Sequence, residues 1–181
     1  MPSIPSDPHP RDADLIGRFL AGDERAFRVL YERHTPRLKM TLLRLLGRIH
    51  HEIEDVVQET WLAGCRSMHT FRGEAKFSTW LTTIGVRTAL AQLRRRRHPE
   101  DDLDPEHAGA LDTRTDAGLD VERALAKLPV QQRVVVVLHD LEGLTHSEIA
   151  ELLGIAAGTS KATLSDARAT LRTAFATERT S

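Results

Sequence analysis

Cysteine is almost absent from this 181-residue chain: Cys65 stands alone, so no internal disulfide can form and a reducing compartment is the expected setting. Aromatic residues are scarce at 4%, which leaves Leu, Val, Ile and Ala to fill a core within an apolar fraction of 40%. No apolar run approaches the roughly 20 residues that a bilayer-crossing helix needs. The first ten residues hold four prolines and no apolar stretch, so nothing there resembles a signal peptide. Together these absences set the expectation of a soluble cytoplasmic protein with no direct membrane insertion. A long C-terminal extension is missing too, so control by an appended domain is not expected.

Net charge is also small, at −1, but it averages unlike segments. Residues 11–97 carry 17 Lys and Arg against 10 Asp and Glu, a surplus of +7. Residues 98–118 carry one Arg and seven acids, or −6, and residues 119–181 carry seven basic and eight acidic groups, or −1. A basic block suits a polyanion, and the acidic stretch behind it suits a solvated tether or a nucleic-acid decoy.

Apolar periodicity divides the chain the same way. Residues 1–12 are Pro-rich and read as a disordered N-terminus. Over 13–97 four helical patterns follow: Leu15, Ile16, Phe19 and Leu20; then Ala26, Phe27, Leu30 and Tyr31 running on to Leu38, Leu42, Leu45 and Leu46, with Pro36 starting a new helix or kinking the old one. The third spans about His51 to Met68, with Ile53, Val56, Val57, Trp61 and Met68 inward. The fourth, capped by Ser78 or Thr79, ends near Arg97 before Pro99. Residues 98–118 lack periodicity and read as a flexible acidic linker. In 119–175 the run from Val134 to Val137 has helical flanks and reads as a buried helix; residues 176–181 are a tail. Thr145-His-Ser-Glu148 is a capping box, Gly154 makes a turn, and a last helix opens at Gly158-Thr159. Helix, glycine turn, helix describes a helix-turn-helix. The fold class is therefore all-α: two small helical domains joined by an acidic linker.

Four constellations carry chemistry. Asp55, Glu54 and Glu52 make an acidic helix edge suited to a basic protein partner. Next comes a loop bracketed by Phe71 and Phe77, with Arg72, Lys76, Ser78, Thr79 and Trp80, whose rings and small polar groups suit unstacked bases. The same rings can equally anchor the loop to the core. Arg94 to Arg97, with Arg87 on the same helix face, then suit phosphates, although a solvated helix end would look alike. On the last helix Lys161, Ser165, Arg168 and Arg172 form a polar face opposite Leu164, Ala167, Leu171 and Phe175. Asp166 beside that face repels phosphate but can accept from a cytosine amine. His50, His51, Cys65 and His69 invite a metal reading, with Cys65 and His69 four apart on one helix face, but there is no CxxC, HExxH or acidic partner, and no catalytic triad, phosphate loop or carboxylate pair, so neither enzyme, cofactor nor metal site is read.

On DVVQETWL (55–62), TFRGEAKFSTWL (70–81), the arginine-rich helix end, LPVQQRVVVVLHDLEGLTHSEIAELLGI (128–155) and GTSKATLSDAR (158–168), the chain resembles the extracytoplasmic-function (ECF) sigma factors of the sigma-70 type. The resemblance implies sigma 2 over 13–97, sigma 4 over 119–175, and a partner in core RNA polymerase. It implies that Asp55, Gln58, Glu59 and Leu62 dock on the β′ coiled-coil, while the linker threads towards the active-site cleft. It implies −10 reading and melting by Phe71, Arg72, Lys76, Phe77, Ser78, Thr79, Trp80, Arg87, Arg94 and Arg95, and contact of the second domain with the β flap. For the −35 element it implies Thr145, Thr159, Lys161, Ala162, Ser165, Asp166 and Arg168. An anti-sigma factor, free or holding the chain at the membrane, is the implied control, and the active form would sit on the bacterial nucleoid. Departures from the family pattern fall at Arg87, where many relatives have Asn, at Ser160, which replaces a core valine, and at Thr163 and Asp166, which remove cations.

A second reading is a stand-alone helix-turn-helix regulator binding duplex DNA through 119–175. It leaves the loop aromatics and the acidic helix edge without a purpose.

Overall fold

The structure, a computed structural model, describes residues 11–46, 53–95 and 116–178. Helix α1 spans Asp12–Leu20 and buries Leu15 and Ile16, while Leu20 remains 53% exposed at its end. Gly22, at φ 96°, lets the chain turn where a Cβ would be strained. Asp23 then accepts from the amide of Arg25 at 3.0 Å and from the Arg18 guanidinium at 2.7 Å, so one carboxylate both caps α2 and ties it to α1. That Arg18 contact, assisted by the backbone amides and opposed by burial, holds the Asp23 carboxyl below its ordinary value.

Helix α2, Glu24–Leu46, runs unbroken through Pro36, so no new helix starts there. Pro36 is exposed, and the hydrogen bond it forfeits leaves a carbonyl that water can satisfy. Beyond it Leu38, Thr41, Leu42, Leu43, Leu45 and Leu46 are all buried, a pattern too dense for a helix with one wet face. Helices α3 (Ile53–Ser67) and α4 (Phe77–Arg95) pack on one side of α2. The crossing is close because Gly85 of α4 has no side chain: a Cβ there would stand 3.0 Å from Leu38 and 3.3 Å from Leu42. Ile53, Val56, Val57, Trp61 and Met68 are buried as their spacing demands.

The second unit begins with α5 (Asp116–Ala126) and α6 (Val130–Val136), which continues into a π-helical turn, Val137–Leu141, marked by the Glu142 amide bonding the Val137 carbonyl at 3.0 Å. Val134 to Val137 are 0–5% exposed, so the valine run is core helix. Helix α7 (His146–Leu153) and α8 (Ala157–Glu178) follow as the helix-turn-helix. Both arms of the Thr145–Glu148 capping box are formed, and Gly154 takes φ 68°, ψ 37° at the turn. No strand occurs among the described residues, in agreement with an all-α fold of two helical units.

The two units share one apolar cluster, because α6 and the π turn pack on α2 as α3 and α4 do. A polar clasp closes this contact. Glu142, its side chain 4% exposed, accepts from Thr41 Oγ1 at 2.5 Å and from the Arg37 guanidinium at 3.0 Å.

Candidate nucleic-acid and partner interfaces

On α3 the inward set Val56, Val57, Thr60 and Trp61 leaves Asp55, Gln58, Glu59 and Leu62 on the opposite, exposed face. Leu62 is 50% exposed, an apolar spot at the end of an acidic row. That combination fits a partner helix offering cations around an apolar anchor. Lys39 of α2 pairs with Glu54, leaving Asp55 and Glu59 as the outer carboxylates. Cys65 lines a cleft with Phe19, Phe27 and Tyr31, and burial pushes its thiol above the ordinary value, so it is no activated nucleophile.

The loop between α3 and α4 rests on rings. Phe77 is 2% exposed and sits among Trp61, Phe71 and Trp80, with centroids 6.3, 5.5 and 5.4 Å away. Phe77 is thus a core residue, and it also begins α4, ahead of the Ser78 or Thr79 cap that the sequence suggests. Burying that ring, worth about 2–3 kcal/mol, anchors the helix start more firmly than a hydroxyl cap of about 1 kcal/mol. Phe71 and Trp80, 5.5 Å apart, are only partly buried and stand on Phe77 as a platform. Arg72 and Lys76 are exposed beside them, and Ser78 and Thr79 are partly buried. Any base stacking falls to Phe71 and Trp80.

Along α4, Arg87 and Arg94 project to solvent at a spacing that shares a face. Arg95 ends the described helix, and Arg96 and Arg97 lie outside the described residues, as do residues 1–10, the linker over 98–115 and the end of the tail at 179–181. His50 and His51 lie outside them as well. His69 is exposed in the short 3-10 turn Met68–Thr70 that follows α3, and among the described residues no three ligand-type side chains could hold a metal ion.

In the helix-turn-helix, Thr145, Thr159, Lys161, Ala162, Ser165 and Asp166 are exposed. Thr145 also carries the cap: its Oγ1 accepts from the Glu148 amide at 3.3 Å and donates to Glu148 Oε2 at 2.7 Å. Arg168 is exposed but engaged, giving Asp140 two hydrogen bonds at 2.6 and 3.2 Å. Its guanidinium ties α8 to the π turn and does not point freely at a groove. Burial would raise the Asp140 carboxyl, but Arg168 and His139 bring it below its ordinary value. Ser160 is fully buried, with its hydroxyl 3.0 Å from His146 Nδ1, and the His139 and His146 rings stack at 4.5 Å. Residue spacing does not mark this cluster, because its members approach only once α7 folds back on α8.

Two basic or polar surfaces, one with a ring platform and one on a helix-turn-helix, define a DNA-binding protein with an added acidic edge on α3. The family description "Sigma-70 region 2" matches residues 30–98, and "Sigma-70, region 4" matches residues 118–171. The chain belongs to the ECF RNA polymerase sigma factors, non-enzymatic subunits that bring core RNA polymerase to promoter DNA. It is 38% identical over 162 residues to the ECF RNA polymerase sigma factor SigM of Mycobacterium tuberculosis, covering 88% of this chain and 82% of that one. To the ECF sigma-E factor of Haemophilus influenzae it is 33% identical over 174 residues, covering 87% and 91%. Among solved structures it is similar to the sigma factor RpoE of Bartonella quintana, crystallised with the anti-sigma factor NepR (25% identity, TM-score 0.62, covering 82% and 96%). It is similar also to CnrH in complex with the cytosolic domain of CnrY (27% identity, TM-score 0.62, covering 92% and 97%).

Proposed function

We propose that the two halves of this sigma factor divide the work at residue level. Residues 13–97 form the unit that binds polymerase and melts the −10 element, and residues 119–175 form the unit that binds the −35 element. Asp55, Gln58, Glu59 and Leu62 meet the β′ coiled-coil. Phe71 and Trp80 stack on unpaired bases, Arg72, Lys76, Ser78 and Thr79 contact their edges and backbone, and Arg87, Arg94 and Arg95 hold phosphates. Thr145, Thr159, Lys161, Ala162, Ser165 and Asp166 face the −35 duplex, and the same unit meets the β flap.

One observation carries this reading: two partly exposed rings stand on a buried third at the start of a helix with an exposed arginine face, next to the acidic edge of α3. Contacts made only by unpaired bases are absent from the closed duplex, so they favour the open state by differential binding. The similar RpoE of Bartonella quintana was crystallised with an anti-sigma factor, which supports an anti-sigma partner for this chain too. Among the described residues no helix is long and apolar enough to cross a membrane, so any hold at a membrane would come through that partner; the working place is the cytoplasm, at the nucleoid.

Run-off transcription with purified core polymerase and a promoter pool tests the reading. Specific transcripts that depend on the chain are expected. Duplex binding without any run-off product would favour the stand-alone regulator.

A further inference from the structure

We propose that His146 is a positioning residue for the recognition helix: bonded to Ser160 and stacked on His139, it sets how α8 meets the −35 duplex. This rests on the assignment of residues 119–175 to that element.

The geometry is a closed frame. Ser160, in the first turns of α8 and 0% exposed, places its hydroxyl 3.0 Å from Nδ1 of His146, the first residue of α7. The His146 ring lies 4.5 Å from that of His139 at an interplanar angle of 25°. His139 Nδ1 stands 2.8 Å from Asp140, and Asp140 returns to α8 through Arg168 at 2.6 Å. Helix α8 is therefore held at Ser160 and at Arg168, roughly 12 Å apart along its axis. Two anchors fix the rotation of a helix as well as its distance, and rotation decides which side chains face a groove. The buried serine fits this arrangement where a valine would offer His146 nothing.

The frame favours the neutral ring. Burial, followed by the neighbouring His139, Lys161 and Arg168, holds His146 below the ordinary histidine value, with Asp140 opposing. Those are the charged groups that the π turn and α8 bring to it; on α7 itself Glu148 is occupied by Thr145. A serine hydroxyl can donate to a neutral Nδ1 or accept from a protonated one, so acidification leaves that bond possible and adds a cation against His139. With its folded value depressed, the contribution of His146 is present above the ordinary histidine value and is lost as pH falls through the lowered one. Promoter affinity should therefore weaken on acidification. A histidine that touched phosphate directly would strengthen it.

The test uses the full chain on core polymerase, with a duplex enriched from a random library by that holoenzyme and the same duplex scrambled upstream. His146→Phe keeps a ring against His139 and removes Nδ1; Ser160→Ala removes the hydroxyl and keeps His146. Each should weaken upstream-dependent binding roughly three- to tenfold, the size of one hydrogen bond, with the double variant no weaker than the weaker single. The wild type should lose affinity from about pH 7 to about pH 5, below the ordinary histidine value, and clearly more than His146→Phe over the same range. Affinity that rises on acidification through His146, a salt slope reduced by about 1 in His146→Phe, or additive losses would overturn the proposal. So would a His146→Phe pH profile parallel to wild type, the mark of a merely structural ring. If the chain fails to bind core polymerase, the sigma assignment falls instead, and the same variants on a duplex enriched by the free chain still read the frame.

Discussion

A guanidinium that gives two hydrogen bonds to one carboxylate has few donors left for a phosphate, and Arg168 is in that position against Asp140. Lys161, on the same helix, is exposed and has no carboxylate partner among the described residues. Spacing alone put both on one polar face, since a sequence does not show that a residue 28 positions earlier claims one of them. Lys161→Ala should therefore lower the slope of log affinity against log salt on a −35 duplex by about 1, and Arg168→Ala should leave it nearly unchanged. Filter binding over a salt series checks this; equal drops would put Arg168 back on the DNA. The rings of the first unit separate in the same way. Phe77→Ala should cost about 3–5 kcal/mol in urea unfolding, because it empties the site beneath Trp61, Phe71 and Trp80. Trp80→Ala should cost less and should reduce permanganate reactivity of a closed promoter far more than of a pre-melted one. Equal loss on both templates would contradict base capture by Trp80.

At the level of elements, legibility followed locality. The capping box at Thr145 and the turn at Gly154 were readable because all their partners lie within a few residues. The inward face of α3 was readable from period, and the valine run from its helical flanks. Of the two readings of Pro36, the new helix fails, since a helix exposed at that point and packed beyond it tolerates one missing donor. The start of α4 at Phe77 escaped the capping rule, because tertiary burial of a ring outweighed a local hydroxyl. The capping box itself allows a pH test. Hydrogen bonds from the Thr145 side chain, then from its backbone, hold the Glu148 carboxyl below its ordinary value, with burial opposing. A depressed carboxylate contributes stability above its unfolded value and loses it as pH falls through the folded one. Thr145→Ala should therefore cost about 1 kcal/mol near neutral pH. The gap to wild type, followed by urea unfolding monitored by circular dichroism, should narrow at about pH 3.5, below the ordinary carboxylate value. A gap independent of pH would mean that the ionised Glu148 adds nothing to the cap.

Across the whole molecule, the second half of α2 is the shared element. Leu42, Leu43, Leu45 and Leu46 are 0–6% exposed, which no single unit of three or four helices would require on every side of one helix. The clasp of Glu142 on Thr41 and Arg37 spans 101 and 105 residues of sequence, and separations of that size carry no periodic signal, so this contact was invisible beforehand. Its consequence is thermodynamic coupling of the two units. Trp61, Trp80 and Tyr31 all lie in the first unit, and α5 to α8 contain neither Trp nor Tyr. Tryptophan fluorescence therefore follows one unit, while far-ultraviolet circular dichroism follows both. In the free chain the two urea transitions should coincide, as for a single cooperative body. Glu142→Ala leaves the Thr41 hydroxyl without its carboxylate and should cost about 1 kcal/mol. Because the units are coupled, that loss should move the fluorescence midpoint as well as the dichroism, although Glu142 and both tryptophans belong to different units. A fluorescence curve left in place while the dichroism splits into two steps would show that the halves fold independently and that the clasp does not join them.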